Sequence, residues 1–139
     1  MKTRPKGPFT YVVLRYMHDT FTREFVNVGI LLCAPQAGFF GFEKLPTLQR
    51  VKGMFPGLNS ESLRELLSFL ARRTEALRAE NPTAFDRAPL SAEAVANSLL
   101  PQDDSALQWS PPGGGITDDP QRSLSEIFER LVTRHLKPP

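Results

Sequence analysis

Arg15, Glu24 and Asn27 interrupt two runs that are otherwise apolar, Tyr11–Met17 and Phe25–Leu32. A guanidinium beside a carboxamide can grip a carboxylate or phosphate through paired hydrogen bonds, so the trio is a candidate anion or ligand site. The same groups also suit a structural polar cluster. A buried cation demands a partner, and Glu24 is the available counter-charge for Arg15. The structural alternative is favoured, because the strands carrying these residues have apolar positions on both faces.

A second set lies near the end of the chain, where Gly113, Gly114 and Gly115 precede Asp118-Asp119-Pro120. Glycine-rich backbone ahead of a helix can cradle an anion. Two carboxylates at that position repel phosphate, however, and no Lys-Ser/Thr pair follows, as it does in a nucleotide-binding loop. The expectation is therefore an interaction loop formed by Trp109, Gly113, Gly114, Gly115, Asp118 and Asp119. A divalent cation held by Asp118, Asp119 and Glu24 is the remoter alternative, and no metal or cofactor is expected.

His18 and Asp19 are residue types that could exchange a proton, but the pair is placed in a turn and strand neighbours point apart. His135 falls at a predicted helix C-terminus, where it suits the dipole. No serine-centred elbow, paired metal-binding histidines or dinucleotide fingerprint occurs, so no catalytic residue is assigned and enzymatic activity is disfavoured. Arg64, Arg72, Arg73 and Arg78 form a basic helix face diluted by Glu65 and Glu75, which favours a solvated surface over nucleic-acid contact.

Bulk properties agree with that restraint. The chain has 139 residues and a formal net charge of +2, too little to demand a nucleic-acid partner. A chain of this size buries roughly 70% of its unfolded surface, so it needs no metal or disulfide staple. The one cysteine, Cys33, cannot bridge internally and is expected to be a small buried hydrophobe. With no second cysteine and no signal peptide, the expected compartment is the cytoplasm. The longest apolar stretch, Val28–Ala34, is too short to span a membrane.

The elements that must position these residues follow from spacing. Residues 1–9 are expected to be a flexible leader and 10–137 one α+β domain. Strands are predicted at Thr10–Met17, Glu24–Ala34 and Phe39–Leu45, joined by turns at His18–Arg23 and Pro35–Gly38 into an antiparallel meander. Pairing Met17 with Glu24 sets Arg15 opposite Val26, whereas a one-residue slip sets it beside Asn27. Gly29 marks a bulge or a close backbone approach.

A helical turn is predicted at Leu48–Met54. Asn59 or Ser60 then caps a helix from Glu61 to Ala79, striped by Leu63, Leu66, Leu67, Leu70 and Leu77 and ended by Asn81-Pro82. Ser91 caps a shorter helix, Ala92–Leu99. Gln102–Ser105 reads as a solvated loop and Leu107–Ser110 as a short fourth strand. Asp118 or Asp119 caps the last helix, with Pro120 in its first turn. That helix runs to about His135, with Leu124, Ile127, Phe128, Leu131, Val132 and Leu136 on one side and a Glu126–Arg130 pair on the other. The fold class is α+β, an antiparallel sheet of three to four strands with helices packed against it.

Tyr11-x-x-Leu14-Arg15-Tyr16 followed by Glu24-Phe25-Val26-Asn27-Val28-Gly29-Ile30 resembles the first block of a bacterial family, domain of unknown function 3037. Ser110-Pro111, Gly115–Pro120 and Leu124–Val132 resemble its second block. The resemblance implies a bacterial protein whose gene often lies beside, or is fused to, that of a kinase-like protein of the toxin–antitoxin type. The functional expectation is a small protein–protein interaction module with such a partner, touching it through Phe39, Phe40, Trp109 and the glycine loop. The alternative is an enzyme or a nucleic-acid- or phosphate-binding factor using Arg15, Glu24, Asn27, Asp118 and Asp119.

Overall fold

The computed structural model describes residues 6–19, 21–80, 91–100 and 106–134. The chain forms an antiparallel sheet of five strands, β1 (Gly7–Asp19), β2 (Glu24–Ala34), β3 (Phe39–Lys44), β4 (Leu107–Trp109) and β5 (Gly113–Thr117). Four helices complete the α+β fold: α1 (Gln49–Met54), α2 (Ser60–Glu80), α3 (Ala92–Leu99) and α4 (Pro120–Phe128). No described helix is long and apolar enough to cross a membrane.

β1 is the axis of the sheet. Its partner on one side is β2, which pairs with β3, and on the other side it pairs with β4 and then β5. Leu14 lies opposite Trp109 and Tyr11 opposite Gly113, so three residues on one strand face two on the other. That extra residue separates β4 from β5 as a bulge. Ser110 fills the gap in the ladder: its Oγ accepts from the Val13 N–H at 2.8 Å, and its own N–H donates to the Val13 carbonyl at 2.8 Å.

Two irregularities set the β1–β2 register. Met17 faces Phe25 and Asp19 faces Glu24, which leaves His18 over as an extra residue, and Arg15 consequently faces Asn27. The slipped alternative is the one that forms. A second shift lies beyond it, where Leu14 faces Gly29 and Val28 is extra. The carbonyl of Val28 accepts from Leu45 N–H at 3.0 Å. Gly29 permits a close approach, since a Cβ there would fall 3.0 Å from the Phe42 ring.

Alternation from this register puts Thr10, Val12, Leu14 and Tyr16 on one face, and Phe9, Tyr11, Val13, Arg15 and Met17 on the other. The first face is sealed by α3, which buries Ala92, Val95, Ala96 and Leu99. The Ala92 N–H donates to Thr10 Oγ1 at 2.8 Å, tying the start of that helix to β1. α2 packs beside β3 and against α3. The second face is covered over β2 and β3 by α4. α4 passes into a wide π turn, Glu129–Thr133.

Local signals held at most boundaries. Ser91 caps α3 by accepting from Ala94 N–H, and Asp119 caps α4 with Pro120 in the first turn. Asn59 accepts from Ser62 N–H at 3.1 Å at the head of α2. Gly38, at φ 63°, closes the short 3₁₀ turn Pro35–Ala37, as a left-handed glycine should.

Several expectations fail. Gly7–Phe9 belong to β1 rather than to a leader. Leu66 and Phe69 are exposed and Thr74 takes a buried place on α2, its hydroxyl donating to the Leu70 carbonyl. Glu126 approaches Arg122, at 3.8 Å, instead of Arg130. The expectations for residues 1–5, Asn81-Pro82, Gln102–Ser105 and His135 lie outside the described residues.

Candidate functional site

Arg15 and Asn27 face one another across β1 and β2. The Arg15 guanidinium carbon lies 4.6 Å from the centroid of the Phe25 ring, a cation–π contact. Its Nε is buried with no hydrogen-bond partner. Asn27 Nδ2 donates to the Leu131 carbonyl in the π turn at 2.9 Å, while Asn27 Oδ1 is buried and unmatched. Glu24 is not the counter-charge. It is exposed at the mouth of the hairpin, where Thr22 Oγ1 donates to it at 3.2 Å.

A residue absent from the expected set joins this cluster. Glu43 of β3 faces Ile30, on the same side of the sheet as Arg15 and Asn27. Its Oε2 is buried without a partner, and desolvation raises its carboxyl above the ordinary range. One acidic residue in a predicted strand, F-F-G-F-E-K, was the available signal. Its meaning depends on α4 returning to cover that face.

The glycine triplet is strand, not loop. Phe9 lies opposite Gly115 and Tyr11 opposite Gly113. A Cβ on Gly113 would sit 2.5 Å from Tyr11 Cζ, and one on Gly115 would sit 2.8 Å from the Phe9 ring. The two rings therefore lie across β5, covering backbone that side chains would otherwise shield. Trp109 is unsuited to docking: it is buried, and its indole N–H donates to the Leu100 carbonyl at 3.0 Å. Phe40 is likewise buried, and Phe39 is half-covered with the Arg78 guanidinium 5.6 Å from its ring.

β5 leads directly to the acidic pair. The Thr117 hydroxyl oxygen accepts from Asp119 N–H at 2.9 Å and from Ser123 Oγ at 2.6 Å. Asp119 accepts from Arg122 N–H at 3.2 Å, and Asp118 pairs with the Arg122 guanidinium at 3.3 Å. Thr117, Asp118 and Asp119 line a cavity of about 460 Å³ at this end of the sheet. Its other walls include Pro8, Ala34, Ala37 and Phe39.

Asp118 and Asp119 do not converge with Glu24. They flank the Gly7 end of β1 and Glu24 the Asp19 end, roughly 40 Å of extended strand apart. Among the described residues no group of three His, Cys, Asp or Glu side chains is placed to hold a metal ion. His18 stacks on Phe55, with ring centroids 4.4 Å apart, and its Nδ1 is 2.9 Å from the Tyr16 hydroxyl. Asp19 instead organises the hairpin, accepting from the N–H groups of Phe21 and Thr22. Cys33 is fully buried, and burial pushes its thiol to about 11.

The family model described as Protein of unknown function (DUF3037) matches residues 11–132. No curated protein and no solved structure matches the chain. With most of its length covered, the chain belongs to that family.

Proposed function

We propose that this member of the family is a small protein-binding module that takes an extended segment of another protein as an added strand on β5. One observation carries the reading: the outer side of β5 is open and uncharged. Gly114, Gly115 and Ile116 are exposed, Ile116 at 71%, while the opposite edge strand, β3, has α2 packed beside it. An uncovered edge offers a row of unpaired backbone groups, and strand addition is the interaction such a row supports. The first partner to test is the kinase-like protein that the family resemblance suggests.

The anion-site alternative has weaker support, since Arg15 Nε and Asn27 Oδ1 are closed off from solvent. The test is co-purification of that partner with the intact chain and with Ile116→Lys, a charge on the edge that opposes strand pairing. The variant keeps its stability within about 0.5 kcal/mol, as exposed substitutions do, and loses the partner. Equal retention by both proteins, or no association with the unaltered chain, overturns the proposal.

A further inference from the structure

The cavity at the Gly7 end of the sheet has the size and walls of a small-molecule site. Its volume, about 460 Å³, falls within the range of roughly 300–1,000 Å³ typical of ligand pockets. Pro8, Ala34, Ala37, Phe39 and Pro120 supply apolar wall, and no lysine or arginine is among its lining residues. The charges on the lining are the carboxylates of Asp118 and Asp119.

Two electrostatic sources compete there. The N-terminus of α4 presents the positive end of its dipole, about half an elementary charge. Against it stand two full carboxylates, one of them already capping that helix. Arg122 meets Asp118 only from the exposed side of the helix and is shared with Glu126. A carboxylate oxygen pair has about four acceptor positions, so these contacts leave acceptor capacity over. The sum favours a cation.

From this, the geometry points to a binding site for an aliphatic cation, an amine or guanidinium carried on an apolar stem. The stem lies along Pro8 and Phe39, and the head meets Asp118 and Asp119. The same chemistry is found in a free small molecule and in a lysine or arginine side chain of a peptide. The inference does not rest on the β5 reading, because a small probe is measured with no partner protein present.

The experiment is titration of the full chain with agmatine, followed by calorimetry and by amide chemical shifts, with hexanoate as the anionic control. Agmatine binds saturably and shifts amides at residues 117–121 and 34–39, while hexanoate binds about tenfold more weakly or not at all. In the double variant Asp118→Asn, Asp119→Asn, asparagine still caps α4, so circular dichroism is unchanged and agmatine affinity falls about tenfold. Ala37→Leu, which fills apolar space and keeps both carboxylates, also weakens binding. An acetylated, amidated Gly-Lys-Gly peptide separates the sources: binding as tight as agmatine identifies a partner's side chain, and weaker binding a free small cation. Absence of saturable binding, preference for hexanoate, or undiminished affinity in the folded double variant overturns the inference.

Discussion

The polar cluster within the sheet and the glycine–aspartate segment at its end use similar residue types for opposite purposes. Arg15, Asn27 and Glu43 keep their polar atoms sealed on one face, and their contacts join layers: guanidinium to aromatic ring, and amide to the π turn. Gly113–Asp119 instead leave a strand edge and a cavity open. A charge in an apolar strand therefore does not by itself mark a site. What separates the two regions is whether a later part of the chain closes over them, and α4 closes over only one.

That contrast can be broken by substitution. The largest effect is expected where the two regions touch, at Gly113→Val. The added side chain collides with the Tyr11 ring, and chemical denaturation should show a loss of about 1–3 kcal/mol. Little or no loss would mean that the ring does not need to lie across the strand. Next comes Asn27→Ala, which strips a donor from the Leu131 carbonyl. The expected cost is about 1–2 kcal/mol, with agmatine binding unchanged; a change in binding would join the two regions functionally.

The smallest effect is a pH dependence. Burial holds the Glu43 carboxyl above its ordinary value of 4.5, so the unfolded chain ionises first as pH rises. The stability this carboxyl contributes is complete below that ordinary value and is lost as pH climbs through the raised one. Glu43→Gln should match the parent at about pH 4 and exceed it at about pH 7 in denaturation midpoint. Parallel curves would show that the carboxylate is solvated after all.

Much of the architecture was legible because it is written locally. Caps at Ser91, Asn59 and Asp119, the left-handed Gly38, and periodicity in the strands each depend on a few neighbouring residues. The register was not, because two one-residue bulges at His18 and Val28 decide it, and a bulge leaves no compositional trace. β5 was mistaken for a loop because glycine has low strand propensity. Its stabilising partners, Phe9 and Tyr11, lie about a hundred residues earlier in the sequence. Glu43 was overlooked for a related reason. Only the return of the last helix makes an ordinary strand glutamate a buried one.

The wide turn at Glu129–Thr133 has a consequence for how insertions and deletions are tolerated. Its Arg134 N–H reaches back to the Glu129 carbonyl, five residues instead of four, so the segment accommodates one residue more than a regular helix would. Removing one residue there restores ordinary winding but swings everything beyond it by roughly 100°. Val132 would then rotate out of the protein and the Leu131 carbonyl away from Asn27. The C-terminus of this chain is thus fixed in phase, and changes of length belong before the turn's first residue or after its last.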